Sequence, residues 1–221
     1  MFSFIISLYH KMQYKKALNR VKSSITQLGS RLEIQPDTNI RLIEGSTKED
    51  IVMGEDVGFF NGCSILSSCH GKIIIGDHVR FQRNVRLYSV EEIVIGDYTA
   101  ISSNVCITDN NNHPVNPEFR RYMRTTPHGS DARSGIHSAH KPVIIGKNCW
   151  IGENSRIQKG VTIGDNSIIA ACSVVTKDVP ANCIAAGNPA RIVKTNIDQI
   201  PAPTSCKEFN VYMASRQINE Q

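Results

Sequence analysis

The sequence predicts an all-β fold in which the chain winds as a parallel β-helix, shaped like a triangular prism. Three observations support this prediction: an aliphatic residue recurs at every sixth position, small residues follow at a fixed offset, and only 6% of the 221 residues are aromatic. A period of six fits neither the helical repeat of about 3.6 residues nor the alternation of a simple strand. It fits a short strand plus a corner, so three such units close one coil.

The repeat is most regular in the second half of the chain. Its aliphatic members, each six residues after the last, are Ile145, Ile151, Ile157, Ile163, Ile169 and Val175. The position four residues after each of them holds Cys, Ser or Val, which suit a narrow interior. Glycine, Asp and Asn recur at the corners, in the segments "IGDH", "IGDY", "IGKN", "IGEN" and "IGDN", and these residue types tolerate tight turns.

An upstream run continues the spacing with less regular residue types. It consists of Ile51, Val57, Cys63, Cys69, Ile75, Phe81 and Leu87. A two-residue slip at Glu91-Glu92 then resets the register, and the next members are Ile95, Ile101 and Ile107. We therefore predict roughly five coils over residues 40–190. The cysteines at 63, 69 and 149 are predicted to face the interior of the prism.

Three segments fall outside the repeat. Residues 1–33 are predicted to form a helical cap, because Gly29 is a stop signal and four aliphatic residues precede it at helical spacing. Those four are Leu18, Val21, Ile25 and Leu28. Residues 34–195 form the predicted β-helix domain, which an excursion loop interrupts at 108–142, and residues 196–221 form a polar tail. Loops as long as this excursion are typically functional.

The composition narrows the classes of function. Lys and Arg number 25 against 20 Asp and Glu, without a long basic run, so we expect no nucleic-acid partner. Seven cysteines without a CxxC pair indicate free thiols in a reducing compartment. The apolar run at residues 2–9 is far shorter than the roughly 20 residues of a membrane span. We expect a cytoplasmic protein, with loose attachment to the inner face of the membrane as a second option.

Two stretches of sequence resemble the hexapeptide-repeat acyltransferases. The first is "HPVNPEFRR", which starts at His113, and the second runs from residue 143 to 194 and includes "VVTKDVP" and "AAGNPARIVK". Both are similar to the maltose and galactoside O-acetyltransferases. The longer excursion and the different N-terminal region look more like the O-acetyltransferases of surface polysaccharides such as O-antigen or capsule.

The resemblance implies a fold, a co-substrate and an assembly. The β-helix would be left-handed, an exception to the usual right-handed crossover. Acetyl-CoA would bind in grooves between the subunits of a homotrimer, and a sugar or polysaccharide hydroxyl would accept the acetyl group. No metal is implied.

The resemblance makes His113 the general base that takes a proton from the sugar hydroxyl. Asn84 would orient the acceptor, although Gln82 competes for this role and Asn is also an ordinary corner residue. Asp109 stands four residues before the base. It either orients the imidazole, as carboxylates often do, or caps the end of a strand.

The same resemblance implies a cofactor groove. Trp150 would flank the cofactor or the acceptor, and the N–H of Glu153, which follows Gly152, would meet the thioester oxygen. The backbone of Ala171 would bond to the pantetheine, although turn geometry explains a small residue there equally well.

Four further residues belong to the far end of that groove. Thr176 and Lys177 would lie near the adenine, and Arg191 and Lys194 would approach the phosphates. A solvated surface is the alternative for the three charged residues, and turn geometry is the alternative for Thr176.

Two other activities stay open from the sequence. One is N-acetylation of a nucleotide-linked amino sugar, for which the same base would serve. The other is a metal-dependent hydratase like the γ-type carbonic anhydrases, which share the prism but need three His at a subunit boundary. The five histidines with suitable positions, in a spacing that matches no such set, are His70, His78, His113, His137 and His140.

The excursion is also rich in arginine. An acidic sugar or a nucleotide-linked one would meet these side chains, which are Arg120, Arg121, Arg124 and Arg133. The sequence therefore predicts an acetyl-CoA-dependent O-acetyltransferase and leaves its acceptor open.

Overall fold

A computed structural model describes residues 2–219 of the chain, in which three parallel sheets form the faces of a triangular β-helix. The first sheet contains β1 (Thr26–Gln27), β4 (Ile51–Met53), β7 (Lys72–Ile75), β10 (Glu92–Ile95), β13 (Val143–Ile145) and β16 (Thr162–Ile163). The second sheet contains β2 (Leu32–Ile34), β5 (Val57–Phe59), β8 (Arg80–Phe81), β11 (Ala100–Ile101), β14 (Trp150–Ile151), β17 (Ile168–Ile169), β19 (Ile184–Gly187) and β20 (Ala190–Lys194). The third sheet contains β3 (Asn39–Ile43), β6 (Ser64–Ser68), β9 (Arg86–Ser89), β12 (Cys106–Thr108), β15 (Arg156–Ile157) and β18 (Val174–Val175). From β1 to β18 every third strand joins the same face, as a coil of three sides requires; β19 and β20 then both extend the second sheet.

Helical segments lie at both ends of the prism and in the excursion. They are α1 (Phe2–Lys22), α2 (Pro117–Thr125), α3 (Lys207–Asn219) and four 3-10 turns, at Lys48–Asp50, Asp131–Arg133, Gly135–His137 and Ile197–Gln199. The last turns of α1 pack on the first coil through the buried side chains of Ala17 and Val21. The helix ends at Lys22, so the prediction that it continues to a stop at Gly29 is wrong: Ile25 and Leu28 lie beyond it, and Leu28 is 74% exposed.

The hexapeptide repeat is confirmed in the second half of the chain. All six of its aliphatic members are at most 1% exposed. They stack in register, since Ile151 pairs with Ile101 below it and with Ile169 above it. Burial of each such side chain stabilises the fold by about 1.5–3 kcal/mol.

The predicted register is wrong between Ile51 and Cys69. The pairs that fix the true register are Met53 with Ile75, Phe59 with Phe81, and Ile65 with Leu87. Four extra residues after Ile65 form a longer corner, and the six-residue step does not survive across it. Cys69 lies in this corner with a φ of 55° and is only partly buried, so its predicted inward position is also wrong.

The remaining register predictions are confirmed. The slip at Glu91-Glu92 exists, and Ile95 and Ile101 beyond it are buried. Cys63 and Cys149 face the interior, where burial raises the pKa of both thiols, that of Cys63 to about 11.

Columns of asparagine hold the corners. Asn84, Asn104 and Asn154 occupy equivalent corner positions with φ near 60°. The side-chain amide of Asn84 donates to Asn104 Oδ1 at 3.0 Å, and that of Asn104 donates to Asn154 Oδ1 at 3.1 Å. Asparagine tolerates the left-handed backbone that the turn requires, and its amide links each corner to the next.

The two chain ends differ from the prism between them. After the last coil, β20 folds back antiparallel on β19. The predicted polar tail contains the helix α3, which the sequence reading missed. The division at residues 33 and 195 stays a prediction. Within residues 2–219, no helix has the length and hydropathy of a membrane span.

Two neighbouring residues of β7 allow a test of which side chains face the interior of the prism. Ile73 is fully buried, whereas Ile74 is 38% exposed. We expect Ile73→Ala to lower the free energy of unfolding by about 2–5 kcal/mol, because it leaves a cavity in a close-packed core. Ile74→Ala is the matched control and should lower it much less. Denaturant unfolding of both variants measures the difference, and equal losses would contradict the assigned faces.

Candidate active site

The excursion leaves the prism after β12 and begins with the His-Pro motif. Its first helix, α2, starts where the side chain of Asn116 accepts a hydrogen bond from the N–H of Phe119 at 2.8 Å. Pro117 occupies the first helical turn, where its missing N–H costs nothing. The segment "HPVNPEFRR" therefore encodes a capped helix that directly follows His113.

Asp109 fastens the base of the excursion to the prism. Its buried carboxylate accepts hydrogen bonds from Ser89 Oγ at 2.7 Å, from the N–H of Val90 at 3.0 Å and from the N–H of Glu91 at 2.8 Å. Ser89 ends β9, and Val90 and Glu91 are the two residues between β9 and β10. The structure thus shows Asp109 at a strand end, the second of the two roles that the sequence left open, and shows no hydrogen bond from it to His113 among the described residues.

Glu44 fastens the far part of the excursion. Its carboxylate accepts hydrogen bonds from Ser134 Oγ at 2.9 Å, from Cys69 Sγ at 2.9 Å and from Ser68 Oγ. Burial alone would raise the pKa of Glu44, but hydrogen bonds from Cys69, Ser68 and Ser134 outweigh it and lower the pKa below its ordinary value. Three elements distant in sequence meet at this carboxylate, which we call the Glu44 latch.

A second contact brings the same stretch close to the third sheet. A Cβ added at Gly135 would lie 2.5 Å from the phenolic oxygen of Tyr88 and 2.9 Å from a methyl carbon of Val90. A larger residue at this position would have to displace the side chains of Tyr88 and Val90. The excursion therefore covers the outer side of β9.

His113 lines a cavity of about 610 Å³ beneath the excursion. Its Nδ1 atom is buried and has no hydrogen-bond partner within the described residues. We call this space the His113 cavity; the lining residues that bear on its chemistry are Arg41, Glu44, His113, Met123, His128 and Arg133. The predicted base thus lies half-buried in a concave site with an unengaged ring nitrogen.

A second cavity, of about 580 Å³, follows the corner between the second and third sheets. We call it the corner groove, and its lining includes Gln82, Ser102, Trp150, Gly152, Glu153 and Ala171. Trp150 is 54% exposed, and its indole N–H donates to Ser102 Oγ at 3.2 Å. Four of the eight predicted cofactor-binding residues meet here.

Close packing of backbone shapes this groove. A Cβ at Gly152 would lie 2.5 Å from the nitrogen of Ala171 and 2.6 Å from the carbonyl oxygen of Ile169, so no larger residue fits. The N–H groups of Glu153 and Ala171 donate no hydrogen bond within residues 2–219. Two stacked corners thus leave two backbone donors beside the same groove.

The other four predicted cofactor residues do not line the groove. Thr176, Lys177, Arg191 and Lys194 are all exposed. Arg191 Nη1 donates to the carbonyl of Ala190 at 2.9 Å. Their proposed contacts with the adenine and the phosphates stay predictions.

The two candidates for the acceptor-orienting amide differ in their surroundings. Asn84 uses its amide in the asparagine column, where it donates to Asn104. Gln82 lines the corner groove. The acceptor-orienting role of Asn84 stays a prediction, and Gln82 is the one of the two that faces a cavity.

Four of the other histidines, His70, His78, His137 and His140, contact carboxylates. His70 lies 3.3 Å from Asp50, and His137 lies 3.2 Å from Asp131. The part of the chain that the structure describes holds no group of three or more His, Cys, Asp or Glu side chains arranged to bind a metal ion.

The sequence reading missed two residues of the His113 cavity. Arg41 and Glu44 both come from the first coil, about 70 residues before the base, and no motif links them to it. The sequence offers one local signal, the glycine at 45, which marks a corner directly after Glu44. In the structure both residues of this corner have positive φ.

Comparison with known proteins gives a consistent family. The model for the bacterial transferase hexapeptide (six repeats) matches residues 142–177. A putative acetyltransferase of Saccharomyces cerevisiae, YJL218W, is 35% identical over 175 residues, which are 74% of this chain and 82% of that protein. Galactoside O-acetyltransferase of Escherichia coli is 40% identical over 116 residues, 52% of this chain; the match spans only 50% of that relative's length.

A solved structure supports the fold. AntD, an N-acyltransferase from Bacillus cereus crystallised with dTDP-4-amino-4,6-dideoxyglucose and coenzyme A, superposes with a TM-score of 0.64 at 20% identity, over 91% of this chain and 96% of that one. With the hexapeptide repeats, this likeness identifies the prism as the predicted left-handed parallel β-helix.

The Glu44 latch makes the excursion sensitive to acid. Because the folded-state pKa of Glu44 is lowered, its ionised form contributes stability above the unfolded pKa, and this contribution is lost as pH falls through the folded pKa. We expect hydrogen-exchange protection of residues 134–138 to fall on acidification in the wild type. In Glu44→Gln, protection should already be low at pH 7 and depend less on pH.

Glu33→Gln provides the control, since Glu33 is an exposed carboxylate of β2 away from the excursion. It should keep the wild-type pH profile at residues 134–138. Unchanged protection in Glu44→Gln would show that the latch does not hold the loop.

Proposed function

The chain belongs to the hexapeptide-repeat family of acyltransferases, and on that premise we propose that it transfers an acetyl group from acetyl-CoA to a hydroxyl of a sugar or surface polysaccharide. The corner groove supports this proposal most directly. It brings Trp150, Gly152, Glu153 and Ala171 together, with two unused backbone N–H donors beside an open channel.

The groove suits the extended arm of coenzyme A. Its small residues keep the channel open, and the N–H of Ala171 would bond to an amide oxygen of the pantetheine. The N–H of Glu153 would face the thioester oxygen. Arg191 and Lys194, exposed on β20, would meet the phosphates, with Thr176 and Lys177 near the adenine.

The proposed reaction is a direct transfer within a ternary complex. His113 takes the proton of the acceptor hydroxyl as the oxygen attacks the thioester carbonyl carbon. The N–H of Glu153 stabilises the negative charge that develops on the carbonyl oxygen. The C–S bond then breaks, and the thiolate takes the proton from His113, so that coenzyme A leaves as the thiol.

An acyl-enzyme step is not part of this proposal. Cys63 and Cys149 lie in the apolar interior, where burial raises the pKa of both thiols and leaves little of the nucleophilic thiolate. All seven cysteines are free thiols, which fits a reaction in the reducing cytoplasm.

The site we propose is shared between subunits of a homotrimer. The His113 cavity lies beside β3 of the third sheet, under the excursion, whereas the corner groove lies at the corner between the second and third sheets. Among the described residues, none lines both cavities. A base and a groove at separate places on one prism would meet when a neighbouring copy brings its own groove alongside the base.

The test of the base is a set of four histidine variants. His113→Ala should lower kcat by about 10²- to 10⁴-fold, because a positioned general base contributes that much, while acetyl-CoA still binds in the groove. The measurement is release of free thiol from acetyl-CoA against a panel of sugars, amino sugars and glycans.

The controls are His128→Ala, His137→Ala and His140→Ala, which should act mainly on acceptor affinity. If one of them abolishes turnover while His113→Ala keeps more than about a tenth of it, the base is misassigned. Acetylation of amines alone would replace the O-acetyl proposal with the N-acetyl alternative.

The test of the shared site is complementation between two inactive variants. Ala171→Trp should block the groove and weaken acetyl-CoA binding with little change in melting temperature, because the side chain of Ala171 is exposed. Mixed at equal amounts with His113→Ala, it should restore about a quarter of wild-type activity, since one interface in four then pairs an intact base with an intact groove.

Light scattering should give a mass of three times 24.5 kDa for wild type and both variants. A monomer at micromolar concentration, or a mixture as inactive as its components, would refute the shared site.

A further inference from the structure

We propose that the His113 cavity selects acceptors bearing an anionic group, either a carboxylate on the sugar or a phosphate attached to it. The inference rests on the proposed function, because it concerns the acceptor that His113 would deprotonate. It follows from which charged residues line the cavity and from the hydrogen bonds and ion pairs that they form.

Two guanidinium groups line the cavity, from Arg41 and Arg133. Guanidinium stays protonated at any physiological pH, so both carry a full positive charge. Glu44 is the one carboxylate among the described lining residues.

Glu44 does not neutralise either arginine. Its carboxylate accepts from Ser68, Cys69 and Ser134, and no ion pair joins Arg41 or Arg133 to any acid within residues 2–219. Arg133 donates through Nε to the carbonyl of Thr126 at 3.0 Å, which leaves both of its terminal nitrogens as free donors. The described lining therefore carries two arginine charges against one carboxylate, a net charge of +1, and neither arginine is held in an ion pair.

The two arginines approach the cavity from different elements. Arg41 belongs to β3 of the first coil, and Arg133 belongs to the excursion. Ser134, the next residue, donates to Glu44 in the latch. The contact that fastens the excursion thus also holds Arg133 over the same cavity as Arg41.

The rest of the cavity suits the body of a sugar. Met123 is buried beneath it and Ile43 lines it, so a ring face would meet apolar side chains. A volume of about 610 Å³ falls within the usual range of ligand sites, about 300–1,000 Å³. Planar guanidinium groups bind carboxylate or phosphate oxygens in pairs, which matches an anionic substituent on that ring.

The other arginines of the excursion do not share this position. Arg120 bonds to the carbonyls of Val115 and Pro114 at the start of α2. Arg121 and Arg124 are exposed and do not line the cavity. The expectation that four excursion arginines meet an acidic sugar therefore narrows to Arg133, joined by Arg41 from the prism.

The experiment compares three acceptors that differ in charge. They are methyl β-D-glucoside, which is neutral, methyl β-D-glucuronoside, which adds a carboxylate, and UDP-glucose, which adds a diphosphate. We measure kcat/KM by thiol release, and the Kd of each acceptor by calorimetry with coenzyme A present. Wild type should prefer one charged acceptor over the neutral one by about tenfold or more, and which one it prefers identifies the source of the charge.

Arg41→Gln and Arg133→Gln should each reduce that preference by about tenfold, the effect of one lost hydrogen-bonded charge contact. Arg124→Gln is the matched control, since it removes an exposed excursion arginine outside the cavity, and it should keep the wild-type preference.

The outcomes separate this inference from the proposed function. If wild type binds or acetylates the neutral glycoside as well as both charged acceptors, charge selection is refuted while the acetyltransferase proposal stands. If a charged acceptor binds more tightly but neither it nor any acceptor of the panel releases thiol, the proposed function fails and the anion site stands. Equal losses of preference in Arg41→Gln, Arg133→Gln and Arg124→Gln would also overturn the inference, because they would show a diffuse effect of surface charge.

Discussion

Asp109 ties the excursion to the prism at both of its ends, and the geometry of the candidate site depends on that attachment. Its side chain accepts from the backbone of Val90 and Glu91, where the chain takes two extra residues between strands. Its carbonyl accepts the N–H of Lys141 at 2.8 Å, where the chain returns to the prism. The loop therefore departs and returns at one point, and β12 and β13 keep the ladder of their neighbours. A buried carboxylate with this many donors is a rigid anchor. The segment that carries His113 starts from a fixed position for this reason.

The sequence predicted those features that repeat. Every sixth side chain from Ile145 to Val175 faces inward, because the last residue of each strand contributes its side chain to the same narrow interior. The prediction failed around Cys69, where a longer corner inserts four residues. A six-residue period cannot be followed across an insertion of four residues. Val57 and Cys63 keep the six-residue spacing because they lie four residues after Met53 and Phe59, at positions that also face the interior and are also apolar.

The sequence likewise identified some residues of the candidate site and not others. The motif at His113 and the small residues Gly152 and Ala171 are local in sequence, so a resemblance could identify them. Arg41 and Glu44 could not be found in this way, because stacking of the first coil beneath the excursion brings them to the base. The sequence identified Asp109 as a candidate, but its role depends on three hydrogen-bond donors about 20 residues away. Sequence spacing alone does not decide between orienting the imidazole and capping a strand end.

The antiparallel strand β20 has a consequence for the free edge of the second sheet. A parallel stack exposes unpaired N–H and C=O groups on its last strand, and such an edge is a template for strands of other molecules. Here the last strand turns back on β19 and carries Arg191 and Lys194, both exposed. Charged side chains along an edge strand oppose pairing with a second sheet. Two basic residues on the outermost strand would therefore disfavour edge-to-edge pairing at that end of the second sheet, with or without a bound phosphate.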